Sequence, residues 1–388
     1  MIAMMLLFLA PQNIVEGDGW GRTAEPIRID DTQFEETIAA YPSSAFREDP
    51  ESLRVRRKLS AHIEEFLAGY PYKAFQNTLG ISAYETYFNH PDRMYYALSV
   101  SLPWLMRPEG EKVRDFLKEQ LARTPPYAVD GFENKAGAPR EAFEVPETLR
   151  LGGRGKAASA VGVYAFWCYT HHCGDVDARK SHWEALKARM QPLLAQDYAF
   201  DLKKNHANDE AQKLNGDLAG LIALIHLARS NADAETEKQA KARARTLLEF
   251  RVNLERTNAR ILEKTNSSSA HLHASKLARY CDLVSPVAEA VRRLSDGCAA
   301  ERLKAFREAR NGWPLAFGDR LIGGENYTNP PHFVHALWAG VVTIERLEGA
   351  KVLSFVDVPW CKGDFYFMEQ CAGALWAASG RGWTQIPR

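Results

Sequence analysis

Three stretches of the chain gather the side chains that acid–base catalysis uses. In Lys203-Lys204-Asn205-His206-Ala207-Asn208-Asp209, an amide that can hold an anionic oxygen stands beside an imidazole that titrates near neutrality and can serve as a general base. The competing reading makes Asn205 or Asn208 the cap of the following helix and His206 a solvated loop residue. In Asn266-Ser267-Ser268-Ser269-Ala270-His271-Leu272-His273, two imidazoles stand two positions apart. On a helix they diverge by roughly 200°, so the pair does not chelate one metal ion, and contact of one of them with a substrate is the better expectation. Arg251, Arg256 and Arg260 precede them and offer guanidinium groups to an anion, or else face solvent on a charged helix. The densest set runs from Trp313-Pro314 through Asp319 to Gly323-Gly324-Glu325-Asn326-Tyr327-Thr328-Asn329-Pro330-Pro331-His332. Here an acid, an amide, a phenol and an imidazole follow two glycines that permit close approach to a ligand, with Trp313 as an apolar platform. The alternative is a long structural turn. His171-His172-Cys173 resembles a metal cluster, but neighbouring residues diverge in direction, which favours packing or capping at a helix end.

The elements that must position these groups are helices. From about residue 51 onward, apolar residues recur at helical spacing: Leu59, Ile63, Phe66 and Leu67; Val113, Phe116 and Leu117; Trp183, Leu186, Met190 and Leu193; Leu214, Leu218, Leu221, Ile222 and Ile225. Val284, Val287, Val291, Leu294 and Cys298, then Val334, Leu337, Val341 and Ile344, continue the pattern. Clusters of Pro, Gly, Asn and Asp break it at Gly69 to Pro71, Pro125 to Gly131, Gly152 to Gly155, Cys173 to Asp177, Asn311 to Pro314 and Gly323 to Pro331. No long flexible linker interrupts the helical character, so the chain reads as one all-α domain. About ten to twelve helices joined by alternating short and long loops suit an (α/α) toroid whose longer loops build a cleft at one end; an irregular bundle or solenoid is the alternative. Lys351 to Val358 is β-branched enough for a short strand, and Phe365 to Ala378 reads as a closing helix.

The 388 residues carry 49 basic and 49 acidic side chains, so no global basic footprint exists for a nucleic-acid partner. Hydrophobic residues at 46% and charged residues at 25% describe a chain able to bury a sizeable core. Six cysteines, at 168, 173, 281, 298, 361 and 371, show no Cys-x-x-Cys spacing and give no zinc framework; no metal or other cofactor is expected. Tyr70, Tyr72, Phe75, Tyr84, Tyr87, Phe88, Tyr95, Tyr96 and Trp104 are read mostly as core, with a sugar cleft as the other option. Met1 to Ala10 is almost wholly apolar, within the length of a signal-peptide core, although no basic residue precedes it and Phe8 would occupy the minus-three position of a cut after Ala10. The expectation is a leader or apolar segment over 1–20, a helical domain over 21–388, and a secreted or periplasmic location, with the cytoplasm as the alternative. Ten residues are too few to span a membrane, and no later apolar run reaches spanning length.

An Asn-His pair before an inner helix, arginines about fifty residues on, and then a helix bearing His and Tyr resemble the alginate-lyase type of polysaccharide lyases on (α/α) toroids. That family shows Asn-Asn-His followed by an aromatic, where this chain has Lys204-Asn205-His206 and no aromatic close behind. The resemblance covers roughly residues 200 to 300 and implies β-elimination on an anionic, uronate-containing polysaccharide. It makes Asn205 the group that binds the carboxylate, aided by Arg256 or Arg260, and His206 the base. Tyr327 is the candidate acid, a role the family pattern does not give it, and His273 competes for it; His271, Trp313, Glu325, Asn326 and His332 are candidate substrate contacts. Two other readings stand beside this one. A glycoside hydrolase would need two carboxylates about 5 to 10 Å apart, drawn from Glu325 or Asp319 with Asp209 or Asp217. A carbohydrate-binding protein without turnover would use the same loops.

Overall fold

The structure, a computed structural model, describes residues 28–38, 49–69, 91–123, 125–128, 160–195, 207–257 and 365–378. Among these residues every regular element is helical and no strand occurs, so the described part is all-α. The expected strand over 351–358, the stripes over 284–298 and 334–344, and the apolar segment 1–10 lie outside the described residues. The helices are α1 (Asp31–Ile38), α2 (Pro50–Gly69), α3 (Pro91–Ser101), α4 (Arg107–Arg123), α5 (Val161–Cys173), α6 (Val176–Ser181), α7 (Trp183–Ala195), α8 (Ala207–Ser230), α9 (Ala234–Thr257) and α10 (Phe365–Ala378). The closing helix has the bounds read from the sequence. None is long and apolar enough to cross a membrane.

Side chains that accept from free amide groups start several of these helices. Asp30 accepts from Gln33 N at 2.8 Å ahead of α1, and Gln33 returns its Oε1 to Asp30 N at 3.2 Å. Asp49, followed by Pro50, accepts from Ser52 N ahead of α2. Asp175 and Asp233 do the same for α6 and α9, accepting from Ala178 N and Thr236 N. Gly174, at φ +69°, ends α5 in the left-handed conformation that glycine adopts without strain.

Among the long helices that the structure describes, two kinds alternate. Helices α2, α4, α7 and α9 bury one stripe each: Val55, Leu59, Ile63 and Phe66; Val113, Leu117 and Leu121; Trp183, Leu186, Met190 and Leu193; Ala240, Ala244, Leu247 and Leu248. Between them, α3, α5, α8 and α10 are buried on all sides through their described centres, as from Met94 to Ser101 and from Gly162 to Thr170. A helix without a polar face needs neighbours all round. The buried helices pack in the order α8, α5, α3, α10, and α10 also packs on α2, so the last described helix meets the first long one. Helix α8 was expected to be amphipathic; instead Ala219, Ala223, Leu224, Leu227 and Ala228 fill its second face and bury it too. Each fully buried leucine in this layer contributes about 2 kcal/mol.

Glycine sets the closest approaches. A Cβ on Gly220 of α8 would stand 2.5 Å from Ala160 Cβ, just ahead of α5, and one on Gly162 would stand 2.0 Å from the Pro126 carbonyl oxygen. Tyr95, Tyr96 and Trp104 are core residues, with Tyr95 edge-on to Tyr169 at 5.8 Å. Tyr70, Tyr72, Phe75, Tyr84, Tyr87 and Phe88 lie outside the described residues.

Candidate functional site

Helices α8 and α9 are joined through Asn231 to Asp233 and pack along their lengths, which makes them an antiparallel hairpin. The open end of that hairpin begins at Ala207, the residue after Asn205-His206. Near that end Arg251 Nε of α9 donates to Asn215 Oδ1 of α8 over 2.8 Å, with the two residues 1% and 2% exposed. Beyond this contact each step along α8 toward Ala207 matches a step along α9 toward Thr257, so the backbone of Arg256 falls about level with Glu210. The last turn of α9 and the first turn of α8 thus stand side by side.

Among the residues of the elimination reading, Arg256 has a described backbone, in the last turn of α9, while Asp209 of the hydrolysis reading lies in the first turn of α8. Asn205, His206, Arg260, His271, His273, Trp313, Asp319, Glu325, Asn326, Tyr327 and His332 lie outside the described residues. Helix α8 starts at Ala207, which puts Asn208 inside the first turn and not at the cap. Asp217 is half-buried on α8. Arg251, read as one possible guanidinium for an anion, is instead buried in the hairpin against Asn215. Sequence reasoning passed over Asn215, whose signal was a polar residue inside the apolar stripe next to Leu214 and Leu218.

The histidines at the end of α5 are packing groups. The His171 ring lies 5.8 Å from Trp167, which also stacks on His226 with ring centres 4.3 Å apart and planes 5° from parallel. His226 Nε2 meets the Ile38 carbonyl oxygen at 3.0 Å, so that nitrogen is the protonated donor. Burial, with the charge of Arg229 adding to it, pushes the His226 imidazole down to about 3, and burial holds His172 well below the usual histidine range. Burial also pushes the Cys173 thiol up to about 12, which leaves little thiolate for a metal at neutral pH. Among the described residues no three His, Cys, Asp or Glu side chains are grouped to hold a metal ion. Tyr127 Oη and His182 Nδ1, 2.5 Å apart, form a second interior pair, closed over by Phe166 with its ring 5.4 Å from that of Tyr127.

At the loop half of the hairpin, α1 lies across α9 beside a groove of about 640 Å³. Asp31, Glu35 and Glu237 line it together with Lys238, Lys241 and Arg245. Lys241 Nζ reaches Glu35 at 2.7 Å and Glu237 at 2.6 Å, Arg229 pairs with the same two carboxylates, and Arg245 pairs with Asp31. Burial pulls the Glu35 carboxyl upward, but hydrogen bonds from Lys241 and Arg229 outweigh it and leave the group below its usual range. These ion pairs fasten α1 to the hairpin. No family model, no curated protein and no solved structure matches this chain.

Proposed function

We propose that the chain is a polysaccharide lyase that cleaves a uronate-containing polysaccharide by β-elimination, on helices arranged as an (α/α) toroid. The toroid reading draws support from the alternation of one-stripe and fully buried helices and from the packing of α10 on α2 and α3. The observation that carries the catalytic reading is the register of the α8/α9 hairpin. It sets the start of α8, immediately after Asn205-His206, beside the turn of α9 that bears Arg256.

In this mechanism Asn205 and Arg256 or Arg260 bind the substrate carboxylate and stabilise the enolate that develops from it. His206 removes the proton from the carbon next to the carboxylate. The electron pair forms the new carbon–carbon double bond as the glycosidic bond on the adjacent carbon breaks. Tyr327 then protonates the departing oxygen. His271, His273, Trp313, Glu325, Asn326 and His332 line the sugar subsites. No metal is required by these steps, because cationic and amide groups neutralise the carboxylate. Such a substrate is a polymer found outside the cytoplasm, in keeping with a leader over 1–20.

The test is ultraviolet absorbance of the unsaturated uronate, followed together with new reducing ends, over a panel of uronate-containing and neutral polysaccharides. The reading predicts absorbance and reducing ends rising together on a uronate polymer, with His206→Ala lowering the rate by about a thousandfold, the range expected for a lost general base. Reducing ends without absorbance would replace elimination by hydrolysis on paired carboxylates. Binding without either would make the chain a carbohydrate-binding protein.

A further inference from the structure

Arg251 occupies a place where the pattern of α9 calls for an apolar residue. The buried stripe runs Ala240, Ala244, Leu247, Leu248 and then Arg251, and the facing stripe of α8 runs Leu214, Asn215, Leu218, Leu221 and Ile222. A guanidinium and an amide therefore meet among these apolar side chains, with the Nε–Oδ1 bond at 2.8 Å. A hydrophobic pair of similar volume is generally as stabilising as a buried polar one, or more so. What an apolar pair lacks is direction: Leu slides past Leu at little cost, whereas a buried Arg–Asn bond is satisfied in one register. The pair lies near the open end, between the apolar body of the hairpin and the turns that end at Ala207 and Thr257. At the other end the connection through Asn231 to Asp233 already limits sliding.

We infer that Asn215 and Arg251 are positioning residues that set the register of the open end of the α8/α9 hairpin, and with it the placement of the first turn of α8 against the last turn of α9. The structural part stands without any assigned chemistry; the catalytic consequence rests on the lyase reading.

The decisive variant removes both polar groups at once, Asn215→Leu with Arg251→Met, in the full chain. Its melting temperature is expected to fall less than that of Asn215→Leu alone, which leaves a buried guanidinium without the amide it donates to. Amide hydrogen exchange within 207–215 and 250–257 should rise at least tenfold while exchange in α3 and α5 stays constant. On a uronate polymer kcat should fall at least tenfold with KM changed less than twofold, and restoring the pair as Arg251→Lys with Asn215 intact should recover part of it. Unchanged exchange at the open end, or a uniform rise across the whole molecule with a lowered melting temperature, would overturn the positioning role. If the unchanged protein lacks elimination activity the lyase reading falls, while the exchange result still decides the register. Normal exchange and an unaltered kcat in the double variant would sink this inference and leave the lyase reading in place.

Discussion

At the loop half of the α8/α9 hairpin, charges meet in solvent: Arg229 and Lys241 share Glu35 and Glu237, with side chains between 23% and 44% exposed. At the open half, the Arg251 guanidinium is sealed inside the contact and donates to the Asn215 amide oxygen. Exposed ion pairs gain little over hydration and are screened by salt, so their number says little about stability. A buried polar group is costly to leave unsatisfied, so it dictates geometry. One end of the hairpin is therefore fastened by many weak contacts, and the other is aligned by a strong one.

The largest expected effect comes from breaking the aligned end on one side only. Asn215→Leu leaves the Arg251 guanidinium buried without its Asn215 acceptor and should lower stability by about 2–3 kcal/mol in urea unfolding. A loss below half of that would mean the bond is incidental.

Overpacking the shared body of the hairpin comes next. Gly220→Ala sets a methyl 2.5 Å from Ala160 Cβ, and moving α5 off α8 to relieve it should cost about 1–3 kcal/mol in thermal unfolding. A neutral result would show that the α5 end shifts freely.

His226 separates the two ends by pH. Its folded pKa, about 3, lies below its unfolded value near 6.5, so its contribution is complete above 6.5 and is lost as pH falls toward 3. His226→Phe should cost about 1 kcal/mol at neutral pH through the lost bond to the Ile38 carbonyl oxygen, and make the stability curve shallower between pH 6.5 and 4.5, where His172 and His182, also lowered by burial, keep a slope of their own. An unchanged slope in that window would assign the acid sensitivity elsewhere. Glu35 and Glu237 also have lowered folded pKa values, and their contribution fades only as pH falls below 4.5.

The smallest effect belongs to the strap. Glu35→Gln should cost under about 1 kcal/mol at low salt and nearly nothing in molar salt. Equal losses at both ionic strengths would mean that the network acts as a buried one.

Much of the fold was legible in the sequence because helical period survives wherever a helix keeps one polar face. Trp183, Leu186, Met190 and Leu193 form the buried stripe that their spacing announced. Helix α1 escaped notice because eight residues with Phe34 and Ile38 as their apolar anchors carry too short a pattern. The mistake at α8 has the opposite cause: alanines on its second face read as neutral by period, yet they are buried. Arg251 was misread for a third reason, since a charged side chain on a charged helix is ordinarily solvated and only the facing Asn215 reveals otherwise. The candidate acid–base groups were legible as residue types, but Asn205, His206 and Tyr327 lie outside the described residues, and their roles rest on chemistry and on the hairpin register.

The central claim is that turnover depends on a carboxylate in the substrate. The most direct measurement compares one uronate polymer with the same polymer after its carboxyl groups have been reduced to neutral sugars. The account predicts ultraviolet absorbance and new reducing ends on the first and neither on the second. Equal release of reducing ends from both, without absorbance, would contradict it.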